Sequence, residues 1–297
     1  MKKQMLALAM LACMPFVPLA GADVIIDNLD AEAFVPADWS TSSKAGQWGT
    51  DMRFGRNSTT PATFSPNLPT AGVWGVEMWW PTQNNGVWPA QTHVTISHAG
   101  GNTVEIVQQK ALGGEWLGVG WYEFNAGSGV RLAIDPSLSS GAEVVADGVR
   151  FREDPIGMKF RQGTANAGFS GNPKSNVAGT TAQLIADVPV DAAYDLYVNY
   201  NQNGNRDPGA IVRIYDGVGN LIDTTTVDMT VVGDTAMIGN YTFSNQPIVQ
   251  VEGSGGGYTD FTGTSYVLTE IVPEPTTAAV LGFGALALAI RRRRQSV

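Results

Sequence analysis

The sequence predicts an all-β protein built from two tandem antiparallel, jelly-roll-like β-sandwiches. The long central part, residues 23–272, consists of short runs of alternating apolar and polar residues that Gly, Asn, Asp and Pro separate. Such runs are typical of antiparallel strands, and this part lacks the sustained 3.6-residue period of an amphipathic helix. The runs also recur in the same order in the two halves, which indicates a weak internal repeat.

The segment 73–80 is the clearest predicted strand. One set of alternate positions holds large apolar side chains, namely Trp74, Val76, Met78 and Trp80, and the other set holds Gly75, Glu77 and Trp79. Because successive side chains of a strand point to opposite faces, we expect Trp74 and Trp80 in the core and Trp79 on the outer face.

The internal repeat divides the chain into two halves of about 120–130 residues, a normal size for one sandwich. Three pairs of segments correspond: 71–74 with 192–194, 118–124 with 238–243, and 144–151 with 264–270. Within the second half, residues 213–222 predict a hairpin turned by Asp-Gly or Gly-Asn. We place the boundary near Asp154-Pro155, which predicts sandwiches over residues 23–154 and 155–272.

The N-terminus has the pattern of a cleavable signal peptide over residues 1–22. Two lysines precede an apolar run over residues 5–19, and Ala20-Gly21-Ala22 forms a small-x-small site. We expect signal peptidase to cleave after Ala22. A membrane-spanning anchor is the less favoured alternative, because the run is short and contains two prolines.

The C-terminus, residues 273–297, combines three elements in a fixed order. Pro273-Glu274-Pro275 precedes an apolar stretch over residues 276–290, which is followed by the basic cluster Arg291, Arg292, Arg293 and Arg294. This arrangement resembles the PEP-CTERM sorting signal. The resemblance implies a transmembrane helix that inserts transiently, and removal of the tail by an exosortase. A permanent C-terminal anchor is the alternative, and in either case we expect the protein at the cell surface or outside the cell.

The composition excludes several function classes. Cys13 is the only cysteine, so the mature chain has no disulfide, thiolate nucleophile or thiolate zinc ligand. Without the two end segments, 12 basic and 26 acidic residues remain, a net charge of −14. Nucleic acid and anionic lipid are therefore not expected as partners. An extracellular polysaccharide that is uncharged, or bridged by cations, is expected instead.

The first half resembles a known domain family in a series of short motifs. The motifs span residues 26–28, 39–40, 61–66, 76–81, 93–101, 113–118 and 146–151. Together they are similar to the golvesin and xanthan-lyase C-terminal-type domain over residues 24–153. The resemblance implies a β-sandwich of carbohydrate-binding type, and it does not extend to the second half.

Tryptophan is the residue type that points to a ligand. All eight tryptophans lie in the first half, and aromatic rings suit sugars because pyranose C–H groups stack on their faces. Trp79 leaves the apolar face of its strand, Trp88 follows an Asn- and Gly-rich loop, and Trp48 lies in a Gly-rich stretch. We predict these three as polysaccharide-binding residues, with partial burial as the alternative for each.

No residue is predicted to be catalytic, and no metal or other cofactor is predicted. His93 and His98 are five residues apart and would face opposite sides of a regular strand, so they form a poor metal pair. Oxygen atoms of Asp27, Asn28 and Asp30 could help to hold a structural Ca²⁺, but the spacing favours a simple Asx turn.

Asp147 is predicted to be a buried carboxylate. It shares alternate positions with Val145, Val149 and Phe151. Because a buried charge needs a partner, we expect either Arg53 or Arg131 to pair with it, in a structural role.

These observations predict a noncatalytic exported protein of the cell surface or extracellular matrix that binds polysaccharide through exposed aromatics of the first sandwich. Two alternatives stay open. One is a purely structural matrix or biofilm protein with no specific ligand. The other is a polysaccharide-degrading lyase or glycosidase, which would need an acid and a base in a cleft.

The two end segments lead to a prediction about the mature protein. Intact-mass analysis of material from the producing bacterium should show Asp23 as the first residue and no tetra-arginine tail, because each end matches a processing signal. Retention of residues 291–294 in surface-exposed material would contradict removal of the tail.

Overall fold

A computed structural model describes most of the chain between the two predicted sorting segments. The described residues are 22–82, 88–110, 113–138, 142–163, 174–175, 177–201, 204–231, 233 and 235–272. They form strands and turns but no helix, and every strand pair among them is antiparallel. The all-β prediction is therefore confirmed.

The described part of the first half contains twelve strands. They are β1 (Val24–Asp27), β2 (Ala33–Phe34), β3 (Ser40–Ser42), β4 (Met52–Gly55), β5 (Ala62–Phe64), β6 (Gly72–Trp79), β7 (Thr92–His98), β8 (Gly101–Val107), β9 (Leu117–Phe124), β10 (Leu132–Asp135), β11 (Val144–Ala146) and β12 (Gly148–Arg152). Two sheets, in the orders β1-β12-β6-β9 and β2-β5-β10-β7-β8, face each other across the core, and a third has the order β11-β4-β3.

Alternation along β6 places its large side chains in that core. Trp74 and Trp80 are 0% and 1% exposed, which confirms the prediction for both. They pack with Phe64 and Ile96 of the opposite sheet, so the two sheets are joined by apolar contact.

The described part of the second half contains ten strands. They are β13 (Lys159–Gly163), β14 (Lys174–Ser175), β15 (Thr181–Ile185), β16 (Ala192–Asn199), β17 (Ala210–Tyr215), β18 (Leu221–Val227), β19 (Thr235–Phe243), β20 (Ile248–Glu252), β21 (Thr259–Asp260) and β22 (Gly263–Ile271). The sheets have the orders β13-β22-β16-β19, β15-β20-β17-β18 and β14-β21. The predicted hairpin is present as β17 and β18. Its turn is held by two hydrogen bonds that the backbone and side-chain amides of Asn220 donate to the Asp216 carboxylate.

The internal repeat is confirmed by the strand orders of the two halves. The sheet β1-β12-β6-β9 has its counterpart in β13-β22-β16-β19, and β5-β10-β7-β8 has its counterpart in β15-β20-β17-β18. Even a register shift recurs, between Val76 and Glu77 in one half and between Leu196 and Tyr197 in the other. Each half also has its own core, one formed by residues 26–151 and the other by residues 158–268.

The second half begins by packing on the outer face of the first. A Cβ atom added at Gly75 would lie 2.2 Å from Met158 Sδ, and one added at Gly118 would lie 2.6 Å from Phe160 Cε1. These two positions on β6 and β9 therefore accept the incoming side chains only because they are glycine. Pro155 also contacts the Gly75 position, at 3.2 Å from its Cβ.

Ion pairs fix the same junction. Glu115 of the first half binds Lys159 Nζ and Arg161 Nη1, each at 2.7 Å. Partial burial raises the pKa of Glu115, but the two cations outweigh this effect and hold the pKa below its usual value. The carboxylate therefore stays charged and joins the two halves over a wide pH range.

Both predicted sorting segments lie largely outside the described residues. Of the signal peptide, only Ala22 is described, and it is exposed. The predicted C-terminal helix, with Pro273, Glu274, Pro275 and Arg291 to Arg294, lies beyond the last described residue. Within the described ranges, no helix of a length and hydropathy that could cross a membrane was found.

The junction leads to a prediction about stability. Replacing Gly118 by Ala puts a methyl group against the Phe160 ring, so we expect Gly118→Ala to lower the free energy of unfolding by about 1–3 kcal/mol. Gly204→Ala is the control, because a Cβ at Gly204 meets nothing within 4 Å. Thermal unfolding of both variants tests the packing. An unchanged melting temperature for Gly118→Ala would show that Phe160 does not occupy this site.

Candidate functional site

Three half-buried tryptophans form a cluster on the outer face of the sheet that contains β6. The ring centroids of Trp48 and Trp116 are 4.8 Å apart, those of Trp48 and Trp79 are 5.5 Å apart, and those of Trp79 and Trp116 are 5.6 Å apart. The rings are tilted at 60–64° to one another, close to the edge-to-face arrangement that aromatic pairs prefer. We call Trp48, Trp79 and Trp116 the tryptophan cluster.

The backbone beneath the cluster explains why the three rings meet. Gly148 of β12 pairs with Trp79 of β6, and a Cβ atom at Gly148 would lie 3.0 Å from both Trp48 and Trp116. The missing side chain lets both indoles lie close to the sheet. Trp79 Nε1 donates to the Gly46 carbonyl at 2.9 Å, which holds the loop carrying Trp48 over the strands.

Arginine covers one side of the cluster. The guanidinium carbon of Arg150 lies 4.8 Å from the Trp116 ring centroid, within the range of a cation–π contact. The same guanidinium binds Glu77, which is 1% exposed. Burial raises the pKa of Glu77, although hydrogen bonding and charge interaction with Arg150 oppose the rise. A buried ion pair on the outer sheet face therefore positions the cation beside the rings.

Asp147 anchors the cluster from below. The backbone N–H of Trp48 donates to Oδ2 and Oδ1 of Asp147, at 3.0 and 3.2 Å. The carboxyl is 2% exposed, so its predicted burial is confirmed. Burial raises the pKa of Asp147 to about 8, the Trp48 N–H opposes this, and the charges of Asp27 and Asp51 raise it further.

The prediction that Arg53 or Arg131 pairs with Asp147 is wrong. Arg53 lies 3.8 Å from Asp51, and Arg131 donates to the Asn125 carbonyl. A backbone donor and a raised pKa replace the expected ion pair, because neutralising a buried carboxyl removes most of its desolvation cost.

The acidic turn beside the cluster is an Asx turn. Leu29 N–H donates to Asp27 Oδ1 at 3.1 Å, and Asp27 N–H donates to Asp30 Oδ2 at 2.7 Å. Asn28 donates its side-chain amide to Asp51. Among the residues that the structure describes, no group of three or more His, Cys, Asp or Glu side chains is arranged to hold a metal ion.

Two of the three predicted ligand-binding residues lie together in the tryptophan cluster, and the third lies elsewhere. Trp48 and Trp79 belong to the cluster. Trp88 does not, because it is 1% exposed and packs in the core of the first half. The expectation that Trp88 is exposed was wrong: its polar loop suggested solvent contact, but burial of the large indole outweighs that loop composition.

Sequence reasoning missed Trp116 as a member of the cluster. It directly precedes β9, so strand alternation gives no face for it. Only the position of Gly148 shows where the indole packs.

The two histidines lie apart from the tryptophan cluster. His98 stacks on Tyr122 with ring centroids 5.2 Å apart, and its Nε2 is 2.9 Å from Thr103 Oγ1. His93 pairs with Ile106 along β7 and β8.

Comparison with known families identifies two segments. Residues 24–153 match the Golvesin C-terminal domain, and residues 272–294 match the PEP-CTERM protein-sorting motif. The first half is thus a golvesin-type domain and the tail is a PEP-CTERM motif. The sorting motif indicates an exported, cell-surface protein and implies processing by an exosortase.

One relative shares the golvesin-type region. A xanthan lyase of Bacillus sp. (strain GL1) is 38% identical over 135 residues, which cover 43% of this chain and 14% of the lyase. The chain therefore matches about a seventh of the length of this relative.

Solved structures with partial likeness include two that cover most of the chain. A Paenibacillus xanthan lyase aligns with a TM-score of 0.34 at 17% identity, covering 79% of this chain and 25% of the lyase. The ANX1 ectodomain from Arabidopsis thaliana aligns with a TM-score of 0.30 at 11% identity, covering 86% of this chain and 99% of the ectodomain.

Asp147 leads to a prediction about pH dependence. Its pKa is about 8 in the folded protein but near 3.9 in an unfolded chain, so its contribution to stability is fully present below about pH 4 and is lost as pH rises towards 8. Asp147→Asn removes this loss. The free energy of unfolding of the variant minus that of the parent should be larger at pH 9 than at pH 5 by at least about 1 kcal/mol. This corresponds to about 2–4 °C in Tm.

Thermal unfolding at both pH values is the measurement. Asp38→Asn serves as the control, because Asp38 is exposed. A difference between Asp147→Asn and parent that is the same at pH 5 and pH 9 would show that Asp147 is ionised throughout.

Proposed function

We propose that this is a noncatalytic exported protein of the cell surface or matrix, in which the first of two tandem sandwiches binds polysaccharide through the tryptophan cluster. The observation that carries the proposal is the gathering of three partly exposed indoles over Gly148. Aromatic rings at a solvent boundary offer an apolar face to sugar C–H groups, while sugar hydroxyls reach polar groups at the rim. The Arg150 guanidinium, stacked on Trp116, is such a group.

The charge of the chain favours a neutral polymer. The body between the sorting segments carries a net charge of −14, so a strongly anionic polymer would be repelled unless cations bridge it. An uncharged polysaccharide meets no such penalty.

The relative named xanthan lyase supports a polysaccharide ligand but not a lyase activity. The match covers 14% of that protein, within the golvesin-type region of this chain. Of the buried carboxyls at the tryptophan cluster, Glu77 is paired with Arg150, and Asp147 is 2% exposed and bound to the Trp48 N–H. Both carboxyls are therefore poorly placed to transfer a proton to a sugar on the outer side of the cluster.

The sorting motif supports a location at the cell surface for this binding. We propose that an exosortase removes the tail from a membrane-anchored intermediate after export. Binding to an extracellular polysaccharide would then retain the released protein near the cell.

The tryptophan cluster leads to a prediction about binding. In a pull-down with the extracellular polysaccharide of the producing bacterium, Trp48→Ala and Trp79→Ala should each weaken retention about 10-fold, because each removes a stacking ring. Phe34→Ala is the matched control, since Phe34 is an exposed aromatic (59%) on β2 and outside the cluster. It should leave retention unchanged.

The free energy of unfolding distinguishes the cluster tryptophans from those of the core. Trp74→Ala should lower the free energy of unfolding by about 3–5 kcal/mol, because it empties a large buried volume. The cluster variants should keep most of the parent stability. If they fold normally and are retained as well as the parent, the protein is a matrix protein whose outer tryptophans only pack against one another.

A further inference from the structure

A cleft of about 500 Å³ lies where the two halves meet. Its walls come from the strand edges β8 and β9 of the first half and from β13 and the 187–190 segment of the second. Pockets that hold small ligands have volumes of about 300–1,000 Å³. The cleft therefore has room for a few sugar rings.

The junction between the halves makes this cleft a preformed space. Phe160 is 3% exposed and seated against Gly118, and Glu115 binds both Lys159 and Arg161. These contacts fix β13 against β9 at one end of the cleft. A preformed site saves the ordering cost that a ligand must otherwise offset.

The first wall presents a carboxylate and a phenol. Tyr122 Oη donates to Glu105 Oε1 at 2.6 Å, and Tyr122 is the only described residue seen to donate to this carboxylate. Burial raises the pKa of Glu105, the Tyr122 bond opposes the rise, and the charge of Asp187 adds to it. The second oxygen of Glu105 remains to accept a hydrogen bond from a ligand hydroxyl.

The second wall presents further polar groups beside aromatic ones. Gln246 accepts from the Val188 N–H at 3.0 Å and donates to the Asp187 carboxylate at 3.4 Å, which holds the Val188 backbone and the Asp187 side chain. Trp121, on β9 of the first wall, is half-buried, and its ring centroid lies 6.1 Å from that of Phe160 on the second wall. Fixed hydrogen-bonding groups next to an indole are the combination that sugars need.

The internal repeat shows which feature of the Tyr122–Glu105 pair is common to both halves and which belongs to the cleft. In the second half Tyr241 donates to Asp223 at 2.6 Å, at the positions on β19 and β18 that correspond to Tyr122 on β9 and Glu105 on β8. The bond between edge strands is thus common to both sandwiches. Of the two pairs, Tyr122 and Glu105 line the cleft, because the second half packs beside them and forms the opposite wall.

We propose that this inter-half cleft is a second saccharide site, which takes a neutral oligosaccharide segment against Glu105, Tyr122 and Trp121. The proposal rests on polysaccharide being the ligand class, and it extends binding to a site that both sandwiches build. Neutral sugars are favoured because Glu105 and Asp187 would repel uronate groups, while Arg161, the one arginine among the described residues that line the cleft, is paired with Glu115.

Calorimetric titration of the exported protein tests the site. The panel contains cellotetraose, maltotetraose and xylotetraose as neutral compounds and tetragalacturonate as the acidic one. At least one neutral compound should bind, and tetragalacturonate should bind at least 10-fold more weakly. Glu105→Gln should weaken the neutral binding by about 10- to 100-fold, as expected for loss of a ligand hydrogen bond to a charged group. Tyr122→Phe should weaken it by about 10-fold, because it removes the bond that positions the Glu105 carboxylate.

Tyr241→Phe is the matched control, because it removes the same kind of bond from the second half without touching the cleft. It should leave affinity unchanged. Equal affinity in parent, Glu105→Gln and Tyr122→Phe would overturn the cleft site, as would preference for tetragalacturonate or no binding at millimolar concentration. If only Trp48→Ala and Trp79→Ala weaken binding, the cleft inference fails while polysaccharide binding by the tryptophan cluster survives.

Discussion

The missing side chains at Gly75 and Gly118 are the constraint on which the rest of the structure depends. The outer face of a sandwich sheet usually carries polar side chains in water, but here Met158 and Phe160 occupy the space above two glycines. This contact seats the second half on the first. It also explains why Glu77, on an outward position of β6, is buried.

The same face is divided between two uses. One end receives the second half, and the other end carries Trp48, Trp79 and Trp116 over a third glycine, Gly148. Between them, Glu77 binds Arg150, which reaches the ring of Trp116. The packing of the two halves and the geometry of the candidate binding surface are therefore linked through one buried ion pair.

Two buried carboxyls, Glu77 on β6 and Asp147 between β11 and β12, are stabilised in different ways. Glu77 has two arginines nearby, with Arg150 bound to it directly and Arg152 at 3.8 Å. Burial raises the pKa of Asp147 to about 8, the Trp48 N–H opposes this rise, and the charges of Asp27 and Asp51 add to it. One carboxyl thus positions a cation, whereas the other positions the backbone of a loop.

The sequence predicted the features that depend on local pattern. Alternation placed Trp74 and Trp80 in the core, and matching segments revealed the repeat that the strand orders confirm. Features that depend on contacts between residues far apart in the sequence could not be predicted from local pattern. The polar loop before Trp88 gave no sign of burial, and the cleft exists only because β13 of one half lies beside β9 of the other.

The central claim is that the partly exposed tryptophans contact polysaccharide and the buried ones do not. Fluorine NMR of the 5-fluorotryptophan-labelled protein resolves this residue by residue, since there are eight tryptophans and single substitutions assign them. On titration with extracellular polysaccharide fragments from the producing bacterium, the signals of Trp48, Trp79, Trp116 and Trp121 should shift, while those of the buried Trp39, Trp74 and Trp88 stay in place. Unchanged signals from Trp48, Trp79 and Trp116 at saturating fragment concentration would contradict the account.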